Sequence, residues 1–379
     1  MIYLDNAATT IDKPKAVADA IYEGLMSKKY GNPSRGAYPQ SINSLRELYD
    51  TRRVIGEFFG FSDPQNVVLS PNVTYSLNYI ISSLFDSEDH IITSITEHNS
   101  VLRPLYQLES YGASLDFLDI DENYNIKTED LEKYLKKNTK GVVITAASNV
   151  SGKITNLKEV NEFTKKHNLI LVVDGAQISG CTAFSLEEYD NIIFAFTGHK
   201  SLHGPQGTGG FIVKGDFDFK QVFSGGSGFD SFSKAQPHHL PELFEPGTEN
   251  VHSFMGLKAA VLELEKDTSF YNTLLENTKL LHDGLREIKD IVIYSPWENK
   301  NTPIVSFNIK GIDAHEIGEI LWDEYEICSR IGSHCAPLFH QRVGTKETGI
   351  VRLSLSSYNT KEEVLKAIDG VKEIANTYK

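Results

Sequence analysis

Cysteine is scarce in this chain: three in 379 residues, at positions 181, 328 and 335. Three thiols cannot build a disulfide framework, and their spacing matches no zinc-ligand pattern. No apolar run approaches the ~20 residues needed to cross a bilayer, and no basic-then-apolar leader precedes the strand-like opening Ile2-Tyr3-Leu4. Positive charge is also short, with 37 Lys+Arg against 51 Asp+Glu and a formal net charge of −14. That balance weighs against nucleic acid and anionic membrane as partners, although a local basic pocket remains compatible with it. Internal repeats, low-complexity tracts and flexible linkers are missing too. The expectation is a soluble, cytoplasmic protein.

What is present is alternation. Short apolar runs, Val67-Val68-Leu69, His90 to Thr93, Leu115 to Leu118 and Val142 to Thr145, are separated by helical patterns over 74–85, 99–111 and 156–167. Continuous apolar runs rather than strict alternation describe strands covered on both faces, and strands alternating with helices describe a mostly parallel α/β sheet. With 40% hydrophobic residues, the chain can fill one large domain and one smaller one. We place the large domain at 13–255 and a smaller α/β domain at 256–379. A bridging helix is expected over 255–287, strands at Ile291–Ile293, Ile304–Ile309 and Val351–Leu355, and helices near 313–325 and 360–377.

The most informative stretch runs from Leu169 to Gly210. One apolar run, Leu169 to Val173, ends on Asp174; a second, Ile192 to Phe196, ends on Thr197-Gly198-His199-Lys200, 26 residues after Asp174. Ligands of open α/β sheets bind at such strand tips. A carboxylate and a lysine meeting there suggest pyridoxal phosphate: the amine condenses with the cofactor aldehyde, and the acid keeps the pyridine nitrogen protonated so that the ring accepts electrons. Thr197 and His199 flank the lysine and can donate to the phosphate. A structural ion pair is the plain alternative for an isolated Asp and Lys.

The motifs Asp174-Gly-Ala-Gln177, Thr197-Gly-His-Lys200 and Gly204-Pro-Gln-Gly-Thr-Gly resemble the core of class V aminotransferase-fold enzymes. Within that superfamily the chain is most similar to cysteine desulfurases and selenocysteine lyases. The likeness runs from Tyr3-Leu-Asp-Asn-Ala-Ala to Tyr358-Asn-Thr. It implies pyridoxal-phosphate fold type I, with residues 1–12 packing on the C-terminal domain. It also implies that Lys200 carries the cofactor, Asp174 faces its ring nitrogen, His98 stacks on the ring and Gln177 bonds its phenolic oxygen. Thr74, Thr197 and His199 would hold the phosphate, with Thr74 opening a helix whose N-terminal amides suit an anion. Asn149 would lie near the cofactor and the substrate carboxylate. Thr248, in Phe244-Glu-Pro-Gly-Thr-Glu-Asn250, would reach the phosphate of a second subunit, making the active unit a homodimer. Val73, Tyr75 and Ser333 depart from the family pattern.

Two features narrow the reaction. An arginine can grip a carboxylate with two parallel hydrogen bonds, and the resemblance gives Arg352 that role toward the amino-acid substrate. The run Arg330-Ile-Gly-Ser-His334-Cys335-Ala-Pro337 resembles the short catalytic loop of the second group of cysteine desulfurases, in which the cysteine accepts sulfur. A thiolate needs a nearby cation, and Arg330 and His334 are candidates. The implied reaction removes sulfur from L-cysteine, leaving L-alanine and a persulfide on Cys335 for a protein acceptor. Selenocysteine lyase on the same site differs by one substrate atom, L-selenocysteine replacing L-cysteine. An aminotransferase without sulfur transfer would need a keto acid and ignore Cys335. A non-enzymatic scaffold is disfavoured by the retention of Asp174, His98, Lys200 and Arg352.

Overall fold

In the computed structural model, which describes residues 1–378 apart from 35, 229–230 and 299–300, the continuous apolar runs become central strands. Among the described residues the main sheet has seven strands, in the order Val67–Ser70, Gly209–Lys214, Ile192–Thr197, Ile170–Asp174, Thr139–Thr145, His90–Ser94, Ser114–Leu118. The pairs from Ile192–Thr197 outward to Ser114–Leu118 are parallel, whereas Gly209–Lys214 runs antiparallel to both of its neighbours.

The runs are continuous because both faces are covered. Leu171 and Val173 belong to one apolar core and Val172 to another; Ile192, Phe194 and Phe196 alternate with Ile193 and Ala195 in the same way. The alternation is that of successive side chains along a strand, with apolar residues demanded at every position. Gly175, in the turn after Asp174, has to be glycine: a Cβ there would sit 2.2 Å from Cζ of Phe194.

A second sheet is antiparallel, in the order Arg330–Gly332, Ile350–Ser354, Ile304–Ile309, Ile291–Ile293. Its core takes in Ile2 and Leu4 from the N-terminus, and Ile2–Tyr3 pairs in parallel with Ile327–Cys328. The helix expected over 255–287 is two helices, Val251–Lys266 and Phe270–Arg286. Asp267 turns extended at the end of the first helix and its side chain accepts the Ser269 amide at 2.8 Å, a local bond that competes with helix continuation. Apolar contacts change hands within the second helix: residues through Leu264, together with Phe270, pack on the large core, and Leu274, Leu281 and Leu285 pack on the small one. Among the described residues, no helix is long and apolar enough to cross a membrane.

Phe194 is fully buried, 4.6 Å from the ring of Phe184 and 5.1 Å from that of Phe59. Phe194→Ala should lose about 3–5 kcal/mol in urea unfolding, through lost transfer energy and an unfilled cavity.

Candidate active site

The C-terminal tips of the parallel strands and one edge of the small sheet enclose a cavity of about 600 Å³. Its wall brings together Thr74, His98, Asn149, Asp174, Gln177, Thr197, His199, Lys200, Arg330, Cys335 and Arg352, nearly every residue that sequence reasoning singled out. Thr248 is absent from this wall in a single chain. It lies exposed, with its hydroxyl 3.3 Å from Nδ2 of Asn32. The segment carrying it is anchored by a buried ion pair between Glu245 and Arg52, 2.5 Å apart.

Asp174 ends its strand buried, its Oδ1 accepting the Ala176 amide at 3.0 Å. Burial pushes its carboxyl above the usual range, against the pull of that amide and of Lys200. Burial likewise lowers the Lys200 amine to about 8; Asp174 opposes the shift, and Arg352 and Arg330 add to it. Thr197 is fully buried and its hydroxyl oxygen has no hydrogen-bond partner among the described residues; the same is true of Oδ1 of Asn149. Unpaired polar atoms at the bottom of a polar cavity mark a place for a polar ligand.

His98 is oriented by local structure. It caps the helix Asn99–Ser110, with the Ser100 amide donating to Nδ1 at 3.0 Å and the Ser100 hydroxyl 2.7 Å away. Burial, reinforced by the positive charge of Lys200, lowers its pKa to about 4. The ring is therefore neutral and, with Nδ1 accepting, carries its proton on Nε2. The Ser100 hydroxyl also meets that of Thr74 at 3.0 Å. His199 is held at about 4 by burial and by Lys200, with Nδ1 3.1 Å from the Thr9 hydroxyl.

Two expectations change here. The helix Val73–Leu84 is capped by Asn72, whose Oδ1 accepts the amides of Thr74 and Tyr75 at 3.0 and 3.2 Å. Those amides are spoken for, and Thr74 offers its hydroxyl. His334 supplies no positive charge to the thiol. It is buried, its Nε2 donates to the Ile350 carbonyl at 2.9 Å, and burial followed by repulsion from Arg352 holds its pKa well below the usual value.

The three cysteines differ sharply. Burial pushes the Cys181 thiol up to about 12 and raises that of the half-buried Cys328. Cys335 is exposed and lines the cavity. It and His334 take left-handed backbone angles, φ +56° and +47°, which side chains rarely adopt. Both carbonyls are pinned, that of His334 by Nδ2 of Asn149 at 2.7 Å and that of Cys335 by the Asn99 amide at 2.8 Å.

Sequence reasoning passed over two acidic residues. Asp5 contacts Arg352, Oδ1 to Nη2 at 3.0 Å, and Arg330, Oδ2 to Nη1 at 3.6 Å. Glu97 is fully buried beside the strand tips and accepts from the Ser94 hydroxyl at 2.5 Å and the Thr145 amide at 3.0 Å. The available signal was an acid following an apolar strand, as at Asp174.

Strands that deliver a lysine and a carboxylate to one cavity define a fold type I α/β architecture. The aminotransferase class-V family model matches residues 2–366, and the chain belongs to that family. A probable cysteine desulfurase of Pyrococcus abyssi is 31% identical over 100% of this chain and 95% of its own length. The cysteine desulfurase of Haloferax volcanii is 29% identical over 98% and 88%. Among solved structures, the apo cysteine desulfurase of Thermococcus onnurineus NA1 superimposes with a TM-score of 0.91 at 30% identity, covering 99% of this chain and 94% of that one.

Burial raises the Glu97 carboxyl from 4.5 to about 8. A raised folded-state pKa gives stability that is full at acid pH and lost as pH rises through the folded value. Glu97→Gln should therefore match the parent below pH ~4.5 and exceed its melting temperature by a few degrees near pH 9. A melting series across pH on both proteins checks this.

Proposed function

We propose that the chain is a pyridoxal-phosphate-dependent cysteine desulfurase, converting L-cysteine to L-alanine and leaving the sulfur as a persulfide on Cys335. The observation that carries the reading is the position of an exposed thiol on the wall of the cavity that also presents Lys200 and Arg352. The similarity to cysteine desulfurases over the full chain supports it.

The residues present fit the cofactor. Lys200 would be the attachment point, Asp174 would face the ring nitrogen, His98 would offer a flat neutral face, and Gln177 would bond the phenolic oxygen. Thr74, Thr197 and His199 would hold the phosphate, which would give the unpaired Thr197 hydroxyl a partner. When bound, pyridoxal phosphate supplies the electron sink that acidifies the substrate Cα–H. Arg352 binds the substrate carboxylate, with Asn149 beside it. Lys200, its amine brought near neutrality, takes the Cα proton. The Cys335 thiolate attacks the substrate sulfur: a new S–S bond forms, the C–S bond breaks, and the electron pair stays with carbon, which is protonated on the way to alanine. Sulfur then leaves Cys335 for an incoming acceptor thiol.

The active unit is a homodimer. Thr248 sits exposed on an anchored segment outside its own chain's cavity. The helix Pro39–Phe58 leaves Leu45 and Tyr49 57% and 52% exposed, next to the half-exposed Tyr38; such apolar patches mark interfaces.

Purified protein incubated with L-cysteine should release L-alanine in step with transferable sulfur, and parallel incubation with L-selenocysteine measures the chalcogen preference. Cys335→Ala should bind L-cysteine and form no persulfide. A sulfur adduct found by mass spectrometry on Cys181 or Cys328 in place of Cys335, or undiminished turnover by Cys335→Ala, would sink the mechanism. Lys200→Ala should lose covalent cofactor attachment and its visible absorption. Light scattering should report a dimer, and Thr248→Ala should weaken cofactor retention; a monomer holding cofactor tightly contradicts the composite site.

A further inference from the structure

Arg330 and Arg352 are direct cross-strand partners in the antiparallel pair Arg330–Gly332 and Ile350–Ser354. Like charges placed opposite each other destabilise a sheet, and a fully buried guanidinium without a counter-charge is costlier still. Arg352 is 2% exposed. The chain places one carboxylate between the two arginines, Asp5, with one oxygen toward each.

Asp5 is held there by the backbone on both sides. The Ser354 amide donates to the Leu4 carbonyl at 2.6 Å, and the Asn6 amide donates to the Ser354 carbonyl at 3.3 Å. Arg352 is thereby fixed at two points, Nη2 on Asp5 at 3.0 Å and Nη1 on the Asn149 carbonyl at 2.9 Å. Its Nε is buried with no hydrogen-bond partner among the described residues. The two arginines line the cavity together with Ala7 and Ala8, and Asp5 lies one layer back. Two cations and one anion leave a net charge of +1, matched to a single carboxylate.

The geometry points to Asp5 as the positioning residue of the carboxylate site: it holds the Arg352 guanidinium in the orientation that receives the substrate carboxylate, and it cancels the second positive charge. This rests on the carboxylate role of Arg352 proposed above. Two effects of removing Asp5 oppose each other. Losing the anion strengthens attraction for any carboxylate, and losing the hydrogen bond frees the guanidinium to turn away. Arg352 is enclosed and preorganised by named partners, so orientation should win; preorganised donors are what make such grips effective.

The test is calorimetric binding to the cofactor-loaded enzyme of L-alanine, which has the carboxylate, and L-alaninamide, which lacks the charge. Asp5→Ala should weaken L-alanine about tenfold, the scale of one charge-assisted hydrogen bond, and leave L-alaninamide within about twofold. Asp5→Asn, which keeps an acceptor in place and is the safer variant for folding, should weaken L-alanine by about threefold, again sparing the amide. Equal weakening of both ligands, or L-alanine binding as tight as or tighter than in the parent, overturns the assignment. Arg352→Lys separates this inference from its premise. If that variant binds L-alanine like the parent, the carboxylate role of Arg352 fails. If Arg352→Lys weakens L-alanine and neither Asp5 variant does, only the positioning role fails.

Discussion

Everything at this site depends on the N-terminal segment tying two separate sheets together. The lysine rides on the large sheet, and the arginines and the cysteine ride on the small one. Residues 2–13 bond to both. Leu4 and Asn6 are laced to Cys328 and Ser354. A few residues on, the Thr10 amide, the Thr9 and Thr10 hydroxyls and the Lys13 amine all lie within hydrogen-bond reach of the His199 carbonyl, at 3.1–3.2 Å. The Thr10 hydroxyl reaches the Lys200 carbonyl as well. Four potential donors thus share the two lone pairs of one carbonyl. Most of these groups are partly or fully shielded from water, where hydrogen bonds are stronger and an unmade one is costly. A shift of this segment would therefore move the lysine and the two arginines relative to each other.

This acidic chain nevertheless builds a basic pocket. The net charge is −14, yet Lys200, Arg330 and Arg352 line a single cavity. Burial then edits the charges. His98, His199 and His334 are driven neutral, and Glu97 is pushed toward its neutral acid form. Asp174 and Asp5 remain to balance the cations. Lys200 still feels the two arginines, whose positive charge adds to the lowering that its burial causes.

Strand identity was legible because covered strands leave an unmistakable mark: every position from Ile192 to Phe196 is apolar, and each such run ends in a polar residue at a tip. Asp174, Thr197 and Lys200 could be read from that alone. His98, Asn149, Gln177, Arg352 and Cys335 needed the family resemblance, since nothing local distinguishes a cavity histidine from a core one. Other features were hidden by scale. The strand Arg330–Gly332 is three residues with a charge and a glycine, too short for periodicity. The break after Lys266 depends on one Asp side chain bonding two residues on. The Asn72 cap and the neutrality of His334 come from contacts that no window of sequence contains. Asp5 is the clearest case: its partners lie 325 and 347 residues away, at Arg330 and Arg352.

The cysteine loop shows why those distant contacts matter. Two consecutive left-handed residues, neither of them glycine, cost roughly 1–2 kcal/mol each. The loop persists because its two carbonyls are taken by Asn149 and by the amide of Asn99, and because His334 is clamped to Ile350. Asn149 is the pivot: its side chain holds the loop while its own carbonyl holds Arg352 at 2.9 Å. Cys335 and Arg352 are thus both held through one residue, so the thiol and the guanidinium keep a fixed relation to each other. The same clamps leave the thiol little reach. A loop pinned at consecutive residues cannot swing far, so in the desulfurase reading proposed above an acceptor would have to come to the cavity mouth.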